Sequence, residues 1–216
     1  MLGSHPLFGA LAPEIRDKLG VCAKTRNVPR GSIIFSKGDA GTSLFTVCSG
    51  TVQVIVPSVD GKSAVFNFIG DGDVFGEIAL LDGRPRTADA VAFTDCKLMT
   101  IDRRDFIPLL RGRPEVAIKL IEVLCGRLRQ TTEQVQDLMF LDLKGRLVKS
   151  LLRLSQKETS GRISISQNDL SQIVGMSREM INKQLQVWAN NHWILLERKR
   201  ITVLRPDALA RIVADE

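Results

Sequence analysis

Apolar residues change their spacing along this chain, and each change marks an element. Leu7, Leu11, Ile15 and Leu19 recur at four-residue steps and predict a short helix over residues 6–20. From Pro29 to Asp102 the runs shorten and become β-prone: Ser32 to Phe35, Leu44 to Cys48, Thr51 to Val56, Ala64 to Ile69, Ala88 to Phe93 and Lys97 to Ile101. Gly38, Gly41, Gly50, Gly61, Gly70 and Gly72 separate them, so short strands with glycine turns predict a small β-barrel or roll. A helical period returns over roughly 114–137. Ala117, Ile121, Leu124, Leu128, Thr131, Val135 and Leu138 follow at alternating steps of four and three, which is a heptad seam. Such a seam asks for a partner helix, most simply a second copy of the chain; docking on the chain's own roll is the alternative. Thr131 is its one polar residue and Thr132 follows. Thr131 suits equally a register device or a hydrogen-bonding position for a ligand.

The last third reads as helices again. Leu143, Leu147, Leu151 and Leu154 form an apolar stripe, Gln156 to Gly161 a loop, and Arg162 to Ser166 an alternating strand. Ser166-Gln167-Asn168-Asp169 has the form of a capping box that opens a helix, with Leu170, Ile173 and Val174 on its buried face. Gly175-Met176-Ser177 supplies a turn and a new N-cap. The helix from Arg178 to Trp188 then buries Ile181, Leu185 and Trp188 and turns Arg178, Glu179, Asn182, Lys183 and Gln186 outward. This is a helix-turn-helix with a polar outer face, suited to DNA. Ile194 to Leu204 reads as two strands around a basic turn, a wing placed to touch phosphates. The expected organisation is residues 1–113 as the roll, 114–138 as the long helix, 139–142 as a hinge and 143–216 as the DNA-binding domain.

Charge strengthens that reading. The chain of 216 residues carries a net charge of +6. Residues 1–137 hold 17 Lys and Arg against 16 Asp and Glu, whereas residues 138–216 hold 13 against 8. The excess sits in the last third and points to a polyanionic partner there. No apolar run reaches the length of a membrane span, so no membrane partner is expected. The N-terminus lacks a basic and apolar leader, and Cys22, Cys48, Cys96 and Cys125 show no paired spacing. The expectation is a cytoplasmic protein with reduced thiols and no metal.

The richest chemistry lies in Phe75-Gly76-Glu77-Ile78-Ala79-Leu80-Leu81-Asp82-Gly83-Arg84-Pro85-Arg86-Thr87-Ala88. Gly76 allows close backbone approach to a ligand. Ile78 to Leu81 predict a helical turn, and the free N–H groups at its start, around Ile78 and Ala79, suit an anion. Glu77 can accept from a ribose 2′-hydroxyl, Arg86 offers a planar fork to phosphate oxygens, and Thr87 adds a hydroxyl. Asp71, Asp73, Gly76 and Asp82 half-match a calcium loop. Phe75 stands where an oxygen ligand belongs and Asp82 where a glutamate belongs, so that reading fails.

The segment looks like the phosphate-binding cassette of cyclic-nucleotide-binding domains. With the long helix and the winged helix-turn-helix, the chain resembles the cyclic AMP receptor protein family of bacterial transcription regulators over about residues 6–205. The likeness is closest in Arg127-Leu128-Arg129-Gln130-Thr131-Thr132-Glu133, Phe140-Leu141-Asp142 and Gln172-Ile173-Val174-Gly175-Met176-Ser177-Arg178-Glu179. The resemblance implies an α+β fold: an N-terminal cyclic-nucleotide-binding β-roll, a long dimerisation helix and a C-terminal winged helix-turn-helix. It implies Gly76, Glu77, Arg86 and Thr87 at the ribose phosphate, and Thr131 and Thr132 at the purine, one from each subunit, with Arg127 nearby. It implies DNA contacts from Arg178, Glu179 and Lys183. Gln167, Ser177 and Asn182 are further candidates, as are Arg198, Lys199 and Arg200 in the wing. Partners are then double-stranded DNA, a second copy of the chain and RNA polymerase.

Two departures matter. Lys183 stands where the best-known member has arginine and lacks its bidentate fork. Met180 replaces a phosphate-contacting threonine. Thr87 leaves cyclic GMP open beside cyclic AMP, because threonine there contacts a guanine amino group in some relatives. Oxygen or carbon monoxide sensing through a cluster or haem is not expected: the N-terminal cysteine group is absent, and His5 and His192 lie outside the roll. No nucleophile–histidine–acid set, metal motif or Walker loop is visible, which argues against an enzyme. A nucleotide-binding regulatory subunit of a partner enzyme is the competing class, and the helix-turn-helix weighs against it.

Overall fold

A computed structural model describes residues 13–57, 63–156 and 161–214. Leu7 and Leu11 of the first predicted helix, His5, Gly61 and residues 157–160 of the predicted loop lie outside the described residues. The chain divides into two compact units, residues 1–127 and 128–216.

In the first unit, helix α1 (Pro13–Cys22) precedes strands β1 (Lys24–Val28), β2 (Ile33–Phe35), β3 (Ser43–Ser49), β4 (Val52–Pro57), β5 (Ser63–Ile69) and β6 (Val74–Phe75). Helix α2 (Glu77–Asp82) interrupts the strands, which resume as β7 (Asp89–Ala92) and β8 (Cys96–Asp102). Helices α3 (Arg103–Gly112) and α4 (Pro114–Phe140) follow. Two antiparallel four-stranded sheets, ordered β1-β8-β3-β6 and β2-β7-β4-β5, make the roll.

Strand alternation sorts its core. Phe45, Val47, Phe75 and Leu98 meet Val52, Ile69, Ala90 and Ala92 inside the roll. Their neighbours Leu44, Val74, Met99 and Ile101 face the other way and pack with Leu80, Phe106, Val116 and Leu120. One period-two pattern thus feeds two cores. Three elements here escaped the sequence reading. β1 is Lys-Thr-Arg-Asn-Val with only Val28 buried, β6 has two residues, and α3 buries Phe106 alone.

α4 carries two apolar stripes in its first half. Val116 and Leu120 are buried in the unit's own core, with Val123 and Leu124 packed beside them. The roll therefore claims one seam residue, Leu124. Ile121, Leu128, Val135 and Leu138 remain exposed, Leu128 at 68%. α4 also runs to Phe140, so Met139 and Phe140, read as hinge, belong to the helix. Nothing before Asp142 breaks it, and Leu141 N–H still donates to Asp137 O at 3.1 Å.

In the second unit the order after α4 is α5 (Leu143–Gln156), β9 (Arg162–Ile163), α6 (Gln167–Val174), α7 (Arg178–Asn190), β10 (Ile194–Glu197), β11 (Arg200–Val203) and α8 (Pro206–Ala214). The Asp142 carboxylate accepts from Gly145 N–H at 2.7 Å where α5 begins. Leu147, Val148 and Leu151 of α5 meet Leu170, Val174, Ile181, Leu185, Trp188, Ile194, Ile201 and Leu209 in one core. Where α4 meets α5, Lys149 pairs with Asp137 at 3.0 Å. The Arg153 guanidinium sits near Asp137 and Glu133, yet burial pulls its pKa below the usual arginine value. The strand expected over Arg162–Ser166 is only two residues long, because Ser166 is already committed to capping α6. α8 lies outside the elements that the sequence pattern predicts.

Candidate functional site

The cassette is built around a bend that only glycine makes cheaply. Gly76 follows β6 at φ 78° and opens α2, and Gly83 closes α2 at φ 72° with its N–H donating to Ala79 O at 3.1 Å. The left-handed φ disfavours any side chain at Gly76, and an added Cβ would stand 2.5 Å from Arg86 Nη1 and displace the end of that guanidinium. A second close approach backs the helix: a Cβ at Gly41 would lie 2.2 Å from that of Ala79.

Arg86 is 5% exposed. Its backbone is tied to the loop before β3, with N–H donating to Asp39 O at 2.8 Å and O accepting from Gly38 N–H at 2.9 Å. The guanidinium donates from Nη1 to Gly76 O at 2.6 Å and from Nη2 to Ser43 O at 2.7 Å. It lies over the Phe35 ring, 4.3 Å from the centroid, within a cluster of Phe35, Phe45 and Phe75. Its Nε is buried with no partner. Burial lowers the pKa of this group, and the charges of Glu77 and Asp39 act against that fall.

Glu77 is 2% exposed. Arg127 Nη1 donates to its carboxylate at 2.5 Å, while Arg127 Nη2 donates to Val74 O. Burying a carboxylate is costly unless it is paired, and Arg127 supplies that pair from α4. The structure thus brings Gly76, Glu77, Arg86 and Arg127 together in the first unit. Ala79 is buried, whereas Ile78 and Thr87 are exposed. Thr131 and Thr132 stand four and five residues after Arg127 in the same helix, in the second unit; Thr131 is half-buried and Thr132 donates its hydroxyl proton to Leu128 O at 2.9 Å. Phe35, Asp39, Gly41 and Ser43 escaped the sequence reading. They lie more than thirty residues upstream, and only β-sheet pairing carries them to the cassette.

The helix-turn-helix assembles from local signals. Ser166 Oγ accepts from Asp169 N–H at 3.1 Å and Asp169 accepts in return from Ser166 N–H at 3.2 Å, a complete capping box. Gly175 ends α6 at φ 73°, and Ser177 caps α7 by accepting from Met180 N–H at 3.3 Å. Ile181, Leu185 and Trp188 are buried, which leaves Arg178, Glu179, Asn182, Lys183 and Gln186 exposed on the opposite face. Gln167 Nε2 donates to Asn182 Oδ1 at 3.1 Å. In the wing, Arg198 and Lys199 form the exposed β10–β11 turn, with Lys199 at φ 56°, and Arg200 is 4.0 Å from Glu197.

Among the described residues no group of three or more His, Cys, Asp or Glu side chains is placed to hold a metal, and no helix is long and apolar enough to cross a membrane.

A buried Arg–Glu cassette in a β-roll, joined through a long helix to a winged helix-turn-helix, defines a nucleotide-binding, DNA-binding transcription regulator. Comparison with known proteins agrees. Residues 25–113 match the cyclic nucleotide-binding domain family, and residues 145–212 match the Crp-like helix-turn-helix domain. The chain is 35% identical to the CRP-like cAMP-activated global transcriptional regulator of Mycobacterium tuberculosis, over 98% of this chain and 97% of that protein. It also resembles the crystal structure of the Thermus thermophilus catabolite activator protein, at 32% identity and a TM-score of 0.56, covering 97% of this chain and 99% of that one. The c-di-GMP-responsive global regulator CLP of Xanthomonas campestris shares the fold, with a TM-score of 0.78 at 24% identity, covering 89% and 99%.

The chain belongs to the cyclic AMP receptor protein family. It is a cyclic-nucleotide-binding, DNA-binding transcription regulator, and its homologues are regulators rather than enzymes.

Proposed function

We propose that cyclic AMP is the effector and that a homodimer of this chain reads a palindromic operator. The observation that carries the ligand reading is the buried pair of Arg86 and Glu77. One offers a guanidinium whose Nε has no partner, the other a carboxylate, both in a cassette shaped by Gly76. An anionic phosphodiester answers the first and a ribose hydroxyl the second. Backbone groups of Ile78 and Ala79 and the Thr87 hydroxyl complete the phosphate side. Thr131 and Thr132 take the purine, and Arg127 exchanges between Glu77 and the bound nucleotide. The exposed Thr87 makes cyclic GMP the second reading. Calorimetry with cyclic AMP, cyclic GMP and c-di-GMP tests the assignment; c-di-GMP alone giving heat at micromolar protein would refute it.

The exposed seam of Ile121, Leu128, Val135 and Leu138 supports dimerisation through α4. Two α7 helices related by a two-fold axis meet successive major grooves about 34 Å apart, which requires a palindrome. Arg178 suits a guanine edge, Glu179 a cytosine amino group and Lys183 a guanine or a phosphate. Ser177, Gln167, Arg198, Lys199 and Arg200 hold the backbone. The ligand acts by shifting population between arrangements of the two reading heads, and it must bind one arrangement better than the other. The regulator works in the cytoplasm, beside RNA polymerase. A gel shift with and without cyclic AMP tests the coupling, and ligand-independent, sequence-blind retention of DNA would refute it.

A further inference from the structure

The cassette helix α2 is six residues long, under two turns. A helix so short is not stable by itself, and its last carbonyls have no partners within the helix. Two groups outside it supply them. Ala79 O accepts from Gly83 N–H at 3.1 Å, and Leu80 O accepts from Arg103 Nε, at the start of α3, at 2.6 Å. A cation at this end also suits the helix dipole. The bond has a single polarity, because a guanidinium only donates and a carbonyl only accepts.

Arg103 is anchored at its own backbone. Its N–H donates to Thr42 O at 2.8 Å, and the next residue, Ser43, gives its O to Arg86 Nη2 at 2.7 Å. Arg86 Nη1 holds Gly76 O at 2.6 Å. Two arginines therefore tie the two ends of α2 to neighbouring residues at the start of β3: Gly76 to Ser43 through Arg86, Leu80 to Thr42 through Arg103. Buried Leu80 and the Gly41–Ala79 approach hold the inner face of α2, but apolar packing is non-directional. The carbonyl bonds supply direction. Glu77 stands one turn before Leu80 and opens the helix, so whatever holds Leu80 O bears on the backbone of Glu77. When Arg127 leaves the Glu77 carboxylate for a nucleotide, that backbone sets where the carboxylate stands.

We propose that Arg103 is a positioning residue for the nucleotide: its bond to Leu80 O keeps α2 wound and Glu77 in place for the ribose 2′-hydroxyl. This rests on the nucleotide reading of the cassette. It assigns a part in ligand choice to a side chain at the far end of α2 from Gly76.

The test is calorimetry of the full-length protein with cyclic AMP, cyclic GMP and their 2′-deoxy forms, comparing wild type, Arg103→Gln, Arg103→Met and Arg103→Lys, with circular dichroism melts to confirm folding. Glutamine has a nitrogen at the chain position of arginine Nε, whereas methionine has a methyl group there. Both lose the charge, so their difference isolates the hydrogen bond. Arg103→Gln should stay near wild type. Arg103→Met should raise Kd about tenfold, the effect of one lost hydrogen bond, and should narrow the preference for the ribo over the 2′-deoxy nucleotide. Lysine keeps the charge but carries its donor one atom farther out, so glutamine should match or exceed it; this comparison stands even if the methionine variant does not fold. Wild-type affinity in the lysine variant beside a weak glutamine variant would show that charge alone matters, and the proposal would be wrong. Equal losses in the glutamine and methionine variants, or a methionine loss that is the same for ribo and 2′-deoxy nucleotides, would also overturn it. If wild type discriminates the 2′-hydroxyl and Arg103→Met keeps both affinity and discrimination, the nucleotide reading stands and the proposal alone falls. A wild type that binds neither cyclic purine nucleotide overturns the nucleotide reading and this proposal with it.

Discussion

Replacing Arg86 by leucine tests the cassette where its geometry is tightest. The guanidinium holds two carbonyls, Gly76 O at 2.6 Å and Ser43 O at 2.7 Å, and stacks on Phe35. Leucine keeps apolar contact with the ring but leaves both carbonyls without a charged donor. Hydrogen bonds to charged groups contribute about 1.5–3 kcal/mol each, and leucine's burial offsets part of the loss, so the first unit should lose about 2–4 kcal/mol of stability and still fold. The effect on ligand is larger, because the anion loses its one buried cationic fork. Truncating one partner of a buried charge pair costs about 2–5 kcal/mol, which raises Kd for cyclic AMP about 30-fold to 4,000-fold. Arg86→Lys keeps the charge and loses the fork, so it should fall between wild type and leucine. Calorimetry supplies the affinities, and circular dichroism melts supply the folded fraction at the same temperature. Wild-type affinity in a folded Arg86→Leu protein would remove the cassette from ligand binding. A lysine variant as weak as leucine would show that fork geometry, rather than charge, carries all of the effect.

Four further outcomes are expected. Leu128, 68% exposed in the single chain, should be buried twice over in a dimer; Leu128→Asp forfeits about 1.5–3 kcal/mol per copy and should raise the dimer dissociation constant by about two orders of magnitude or more in ultracentrifugation, an unchanged dimer showing that another face pairs. Thr131→Leu should preserve or tighten that dimer while weakening cyclic-AMP-stimulated DNA binding, and normal stimulation in gel shifts would reduce Thr131 to a packing residue. Asp137→Ala removes the carboxylate that meets Lys149 at 3.0 Å and neighbours half-buried Arg153; since Lys149 is half-exposed, the loss should be about 1 kcal/mol and should shrink in high salt, and a salt-independent loss would point to packing instead. Burial pushes the Cys48 thiol above its usual range, so its contribution to stability is present at neutral pH and is lost as pH rises through the shifted value; at pH 8 Cys48 should resist iodoacetamide while exposed Cys22 reacts, and equal rates of mass gain at the two sites would contradict the burial.

The helix-turn-helix and the cassette were legible in the sequence because their signals are local. A capping box spans Ser166 to Asp169, a left-handed glycine sits at 175, and a buried stripe repeats through Ile181, Leu185 and Trp188; each is decided by residues within a turn or two of one another. Gly76, Glu77 and Arg86 likewise fall within one short segment. α8 carries fewer such marks, Pro206 at its start and the single buried Leu209, and no capping box or turn glycine announces it. What tertiary structure alone decided is which distant groups complete these local pieces. β1 has almost no apolar pattern and is a strand because it pairs with β8. Ser43, Asp39 and Phe35 hold Arg86 because the strands on either side of their loop bring it against the cassette. Arg127 meets Glu77 across fifty residues of chain. α4 shows the division within one element. Its heptad period is written in the sequence, but which apolar stripe the protein keeps for itself and which it leaves exposed depends on the shape of the roll beneath it. Periodicity specifies a helix and its faces; only packing specifies what each face meets.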